Sequence, residues 1–90
     1  MSDTVFIAFQ TNDDSRPIIE AIAEDNPHAV VNAMPAMVKI DAQGRLVIRR
    51  ESIEARIGRA FDLRELQLNL ISLSGNIDET DDEFILAWNN

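Results

Sequence analysis

The densest group of reactive side chains in this 90-residue chain is the acidic run Asp78-Glu79-Thr80-Asp81-Asp82-Glu83. Such a run of oxygen donors suits Ca²⁺, and an EF-hand loop requires Gly at its sixth position and Glu at its twelfth. Counted from Asp78, the sixth residue is Glu83 and the twelfth is Asn89, and no helical pattern flanks the run. The spacing argues against a metal loop. Acid–base chemistry by paired carboxylates needs one acid shielded from water, with a raised pKa. Here the acids fall on helix faces, turns and loops that the pattern leaves wet. Ser74-Gly75 lacks the G-x-S-x-G frame of a nucleophile elbow. His28, the single histidine, sits in a turn beside Pro27. Gly44, Gly58 and Gly75 are scattered, each explained by a turn or cap, so no phosphate loop is present. With no cysteine, disulfides, iron–sulfur clusters and thiolate zinc are excluded. The reading is no catalytic, no cofactor-binding and no metal-binding residue. What remains is a shaped surface.

Length and charge narrow the class further. Residues 1–90 make one domain, with no room for a second core. No apolar run approaches the roughly 20 residues of a membrane span, and Met1-Ser2-Asp3-Thr4 lacks the basic start of a signal peptide. Cytoplasmic residence is the expectation. A net charge of −8 argues against nucleic acid or an anionic membrane as partner. The charge is uneven: residues 1–25 are acidic, 39–64 carry a basic excess (Lys39, Arg45, Arg49, Arg50, Arg56, Arg59, Arg64), and 78–83 are acidic again. That distribution suits either a solvated surface or a dipolar molecule that orients toward a larger partner.

The elements that position this surface follow from pattern. Thr4–Gln10 is β-branched and aromatic, as a first strand should be. Ile18, Ile19 and Ile22 give one apolar face to a helix over 15–25, started near Asn12–Ser15 and stopped at Asn26-Pro27. Ala29–Met34 reads as a second strand, with Pro35 marking a bulge or an edge. Ala36–Asp41 and Arg45–Arg50 read as a hairpin closed by Asp41-Ala42-Gln43-Gly44. Its alternation puts Val38, Ile40, Leu46 and Ile48 on one face, and Met37, Lys39, Val47 and Arg49 on the other. A short helix at 51–57 stops at Gly58. Asp62 and Glu65 are spaced as a capping box for one helical turn. Gln67–Ser74 is a strand in which the pair Leu70-Ile71 breaks alternation, by a bulge or by burial of both faces. Ser74-Gly75-Asn76 is a corner, 78–83 a loop, and Glu83–Trp88 the closing strand. The order β-α-β-β-β-α-(short α)-β-β predicts an α+β fold, with two or three short helices packed on a largely antiparallel sheet.

Two surface features invite a partner. Met34-Pro35-Ala36-Met37 sets two adaptable thioethers beside a kink, unless both fill the core. Gly75 and Asn76 tolerate left-handed backbone, either as a plain strand corner or as a feature that another protein presses against.

Three segments carry a resemblance to a known family: IEAIAEDNPHAVV (19–31), DAQGRLVIRR (41–50) and IGRAFDLRELQLNLISLSGNIDETDDEFILAW (57–88). They are similar to the small regulatory, or coupling, proteins of bacterial multicomponent phenol hydroxylases, within the wider group that serves soluble di-iron monooxygenases. The similarity covers nearly the whole chain, and the SGN-I-DE-x-DDEF-x-L-x-W ending is its most specific part. The first strand lies close to Met1, so the expectation is a member lacking the long N-terminal tail of the methane-oxidising relatives.

The resemblance implies a cofactor-free, non-catalytic component. Its partner would be a di-iron hydroxylase oligomer that uses O₂, with electrons from NADH passed through a separate reductase holding FAD and a 2Fe-2S cluster. Phenol or methylphenols would become catechols. A chain without cysteine and with one histidine cannot ferry electrons, so its influence must be conformational. A binding partner shifts an equilibrium only by its differential affinity for the two states, about 1.4 kcal/mol for a tenfold gain. The expected contact residues are Met34, Pro35, Met37, Val47, Gly75 and Asn76, with Arg49 and Arg50 as rim charges. Two other readings compete. A small-ligand-sensing α+β regulatory domain would need a pocket. An acidic mimic of nucleic acid would need acids along one face, against which the basic 39–64 block argues.

Overall fold

The computed structural model describes residues 3–88. Its framework is β1 (Thr4–Gln10), α1 (Arg16–Asp25), β2 (Val30–Met34), β3 (Met37–Gln43), β4 (Arg45–Arg49), α2 (Arg50–Ile57), a 3-10 helix at Leu63–Leu68, β5 (Leu70–Ser74), β6 (Asn76–Glu79) and β7 (Glu83–Ala87). The α+β class stands. The sheet is divided in two: a four-stranded sheet in the order β2-β3-β1-β5 and a three-stranded sheet in the order β4-β7-β6, with every pairing antiparallel.

β1 is the axis of the larger sheet. Its alternation sends Val5, Ile7 and Phe9 inward, where all three are fully buried. They meet Val38, Ile40 and Ala42 from β3, Leu46 and Ile48 from β4, and Phe84 and Leu86 from β7. Ile18, Ile19, Ala21 and Ile22 of α1 and Ile53 of α2 close the core. Thus the inward residues expected from alternation at 38–48 are the ones buried.

The connection between those strands differs from the expected hairpin. β3 runs on to Gln43 because it pairs with β1 as far as Thr4, so Gly44 alone separates it from β4. One residue cannot reverse a chain into a two-stranded ladder. Gly44, at φ +83°, instead turns a corner that passes the chain from the larger sheet to the smaller, and its N–H donates to the Asp3 carbonyl (3.0 Å). The real hairpin lies one step earlier, where Met34 pairs with Met37 across Pro35-Ala36. Proline fixes the first turn residue at negative φ, and Ala36 takes φ +67°, the sign pattern of a type II turn. Pro35 therefore sits in a tight turn rather than a bulge, although β2 is an edge strand. Alanine at positive φ is strained. Ala36→Gly is expected to raise unfolding free energy by about 0.5–1 kcal/mol, after subtracting glycine's own entropic cost, as read from urea midpoints.

Two boundaries in the last third also move. Gln67 and Leu68 belong to the 3-10 helix, so β5 starts at Leu70. The broken alternation there is a bulge: Ala8 pairs with Ser72 and Phe9 with Leu70, leaving Ile71 unpaired and half-exposed. The acidic run is partly a strand. Asn76–Glu79 forms β6, paired along β7, and the reversal is held by Thr80 Oγ1 accepting from the N–H groups of Asp82 (3.2 Å) and Glu83 (3.1 Å). Charged residues on a short edge strand block pairing with another chain, which is why acids occur in a strand here.

The two caps behave as their spacing predicts. Gly58 ends α2 in the left-handed region (φ +74°). Asp62 starts the 3-10 helix as a capping box: its carboxylate accepts from the Arg64 N–H (2.9 Å), and Glu65 accepts from the Asp62 N–H (2.9 Å). The Arg64 side chain, 2.7 Å away, and then its backbone N–H hold the Asp62 carboxyl down at about 2. A folded-state pKa below the unfolded value contributes stability above about pH 3.9, which is lost as pH falls toward 2. Carboxyl NMR titration should place the Asp62 midpoint well below that of ordinary aspartates, and the Arg64 amide should lose exchange protection across the same window.

Candidate functional site

The residues expected to make contact divide between two places. Met34, Pro35 and Met37 stand at the Gln10 end of the larger sheet, since Met37 pairs with Gln10. Met34 is 43% exposed, Pro35 is exposed and Met37 half-buried, so none of the three fills the core. Gly75 and Asn76 stand at the opposite end of β1. Gly75 lies against Val5, Ser74 pairs with Phe6, and the Trp88 indole N–H donates to the Thr4 carbonyl (2.9 Å). The six steps of ~3.4 Å along the seven residues of β1 separate these ends by about 20 Å.

Val47, Arg49 and Asn76 do come together, on the outward face of the smaller sheet. Register places Asn76, Ala87 and Arg45 in one row, Asp78, Ile85 and Val47 in the next, and Glu83 beside Arg49 in the third. Leu46, Ile48, Phe84 and Leu86 point the other way into the core. The result is an apolar stripe of Ala87, Ile85 and Val47, with arginines along one side and Asn76 and Asp78 along the other. Arg49 pairs with Glu83 at 3.7 Å. Composition alone did not indicate Ile85 and Ala87. The β4–β7 register sets them beside Val47 and Arg45, and Asn76 joins them only once β6 is recognised as a strand.

The free edge of this face is fixed by a residue with no forewarning in the sequence. Asn26, 2% exposed, accepts from the Val47 N–H (3.0 Å) and donates to the Val47 carbonyl (2.7 Å) and to the Ile22 carbonyl (2.8 Å). Its amide thus makes the two bonds that a neighbouring strand would exchange with Val47, and it anchors the end of α1 to β4. His28 adds a second tie through Nε2 to the Arg45 carbonyl (2.8 Å).

Arg50 braces the far end. Its guanidinium bonds Asp82 (2.7 Å) and Glu54 (3.3 Å), its N–H donates to the Asp82 carbonyl, and Glu54 in turn accepts from the Phe61 N–H (2.8 Å). Asp82 and Glu54 raise the Arg50 pKa further above its ordinary value. Arg50 therefore joins α2 to the β6–β7 turn instead of presenting a spare charge at a rim. An open groove of about 940 Å³ lies beside it, lined by Arg50, Phe61, Asp62, Arg64, Glu79 and Asp81 among others. Its charged, open walls are unlike the enclosed apolar pocket that a small-ligand sensor needs. Among the described residues, no three His, Asp or Glu side chains are placed to hold a metal ion. No helix among them is long and apolar enough to cross a membrane.

Comparison with known proteins resolves the lineage. The sequence profile of the MmoB/DmpM family matches residues 3–87. The chain belongs to this family. It is 53% identical to the phenol 2-monooxygenase stimulatory component DmpM of Pseudomonas sp. (strain CF600) over 90 residues, the full length of both. Among solved structures, a chain in a phenol hydroxylase–regulatory protein complex superimposes with a TM-score of 0.91 at 55% identity, covering 96% of this chain and 99% of that one. The soluble methane monooxygenase regulatory protein B shares the fold, with a TM-score of 0.79 at 22% identity, covering 99% of this chain and 67% of that one.

Proposed function

We propose that this family member is the non-catalytic regulatory component of a multicomponent phenol hydroxylase. It binds a di-iron hydroxylase and stimulates NADH- and O₂-dependent conversion of phenol or methylphenols to catechols. The observation that carries this reading is the full-length, 53% match to a stimulatory component. A separate reductase, holding FAD and a 2Fe-2S cluster, supplies the electrons in this scheme. The chain itself brings a binding surface and a conformational preference.

The docking face is the outward side of the smaller sheet, with Val47, Arg49 and Asn76 from the sequence and Ile85 and Ala87 from the register; Gly75, against Val5, turns the corner that presents Asn76. An apolar stripe with polar margins is the usual composition of a non-obligate interface. Met34, Pro35 and Met37 lie outside this face. Docking favours the competent hydroxylase conformation, and about 1.4 kcal/mol of preference multiplies its population ratio tenfold.

The test is reconstitution of hydroxylase and reductase with and without the protein, measuring catechol formed per NADH. Addition should raise both rate and yield, and equal yields would remove the coupling role. Within the same assay, Asn76→Lys is expected to weaken stimulation at least about tenfold in half-saturating concentration, the scale of one charge placed inside an interface. Its urea midpoint should stay unchanged, because Asn76 is exposed. Undiminished stimulation would clear this face of the role.

A further inference from the structure

β6 is the least supported part of the docking face. It is an edge strand of four residues, all exposed, and its ladder partner is β7. None of its side chains joins the core. A short ribbon without buried side chains opens easily, so the place of Asp78 beside Ile85 depends on what holds the ribbon's two ends. One end is the Gly75 corner. At the other, Thr80 closes the turn on itself: its N–H donates to the Glu83 carbonyl (2.9 Å), and its Oγ1 accepts from Asp82 and Glu83. Among the described residues, both hydrogen bonds that tie residues 80–82 to elements outside this ribbon come from Arg50. Its N–H reaches the Asp82 carbonyl (2.9 Å), and its guanidinium reaches the Asp82 carboxylate (2.7 Å).

Arg50 is held from a second side. The guanidinium also donates to Glu54 (3.3 Å), whose carboxylate accepts from the N–H of the core residue Phe61 (2.8 Å). Its Nε is enclosed yet makes no hydrogen bond within the protein. An enclosed donor left unmet is unfavourable, so the pose of this arginine is set by what its other nitrogens hold. A planar guanidinium spans two carboxylates in a fixed geometry, which a lysine ammonium does not. Arg49 meanwhile pairs with Glu83 on the docking face itself (3.7 Å). Two neighbouring arginines thus staple two neighbouring acids, one pair on the face and one behind it.

We propose that Arg50 is a positioning residue for hydroxylase stimulation: by gripping Asp82 it holds the β6–β7 ribbon, and with it Asp78 and the Arg49–Glu83 pair, in the shape that the hydroxylase recognises. This role rests on the docking reading above. A ribbon ordered beforehand need not be ordered on binding, which is the energetic content of pre-organisation. Loss of the grip therefore raises the concentration needed for stimulation and leaves its plateau unchanged.

Titration of wild type, Arg50→Lys, Asp82→Asn and the double variant into hydroxylase and reductase tests this, with half-saturating concentration and plateau read separately. The Arg50 and Asp82 side chains are 38% and 75% exposed, so their pair adds little to global stability and the variants stay folded. Each single variant should raise the half-saturating concentration about threefold to tenfold at full plateau. The double variant should be no worse than the worse single one, because both break the same bond. Arg50→Lys keeps the net charge and Asp82→Asn makes the chain one unit less acidic, so matching effects belong to the grip and not to long-range charge. Amide hydrogen exchange of the free protein gives a second readout. Thr80, Asp82 and Glu83 should exchange faster in both variants, while Leu46 and Leu86 keep their protection.

Faster exchange with unchanged half-saturation would overturn the proposal, as would unchanged exchange. Additive losses would mean that Arg50 meets the hydroxylase directly, and a lowered plateau would place its role after docking; either outcome sinks it. If wild type itself fails to stimulate, the docking reading falls and the positioning role with it. Variants as effective as a stimulating wild type remove the positioning role alone.

Discussion

Asn26→Ala is expected to lower unfolding free energy by about 2–4 kcal/mol, among the larger single losses available in this molecule. Three side-chain hydrogen bonds disappear at once. More important, the Val47 N–H and C=O and the Ile22 carbonyl keep their polarity after losing their partner. An abandoned buried polar group costs about 1–3 kcal/mol, reduced at Val47 because it is only half-buried. Urea denaturation of wild type and variant checks the magnitude, and a loss below about 1 kcal/mol would mean that water replaces the amide without penalty. Asn26→Asp sharpens the test. A carboxylate retains an acceptor for the Val47 N–H but faces two carbonyls it cannot satisfy when ionised. Protonation restores a donor, so this variant's folded-state pKa is raised relative to the unfolded chain. Its deficit should therefore shrink below about pH 4 and grow above it, a pH dependence that alanine at the same site cannot show. Losing this amide also opens the β4 edge, so the variant should aggregate more readily on partial unfolding.

Asn26 also shows where sequence reading stops. Asparagine before proline marks a helix stop, and α1 does end there, at Asp25. Nothing in residue type reveals that the side chain reaches Val47, 21 positions on, because that contact depends on how α1 sits against β4. Period and capping gave the local elements: the inward set Val38, Ile40, Leu46 and Ile48, the α1 face, the Gly58 stop and the Asp62–Glu65 box each follow from interactions spanning a few residues. Connections between strands were harder. A glycine at positive φ after Asp41-Ala42-Gln43 serves a hairpin or a corner equally well, and only the pairing of β3 with β1 decides between them. Ala36 occupies a conformation that its side chain disfavours, so its turn carried no glycine or asparagine as a signal. Asp78 and Glu79 resemble loop acids because an edge strand tolerates the same charges for a different reason. The candidate face inherited these limits: Val47, Arg49 and Asn76 were legible, but their adjacency through Ile85 and Ala87 required the unrecognised strand.

The second large effect is expected at Gly75, which passes the chain back from β5 to β6. At φ +138° it occupies a region that L side chains rarely adopt, and a Cβ built there lies 3.0 Å from Val5 Cγ1 and 3.6 Å from the Ala87 N. Val5 is fully buried and pairs with Ala42, so it has little room to withdraw. Backbone strain of about 1–3 kcal/mol and overpacking of a similar size combine to an expected loss of about 2–5 kcal/mol for Gly75→Ala. The two causes can be separated. Val5→Ala costs stability by itself, yet it removes the methyl group that the new Cβ strikes. If the clash dominates, the double variant Val5→Ala, Gly75→Ala should be at least about 1 kcal/mol more stable than the sum of the single losses predicts. Additive losses would assign the whole effect to φ. The function of the corner then follows from comparison with its neighbour. Gly75→Ala should reduce hydroxylase stimulation only in proportion to the fraction unfolded, and lowering the assay temperature should recover it. Asn76→Lys should impair stimulation at full folding. Glycine shapes the corner, and asparagine presents it.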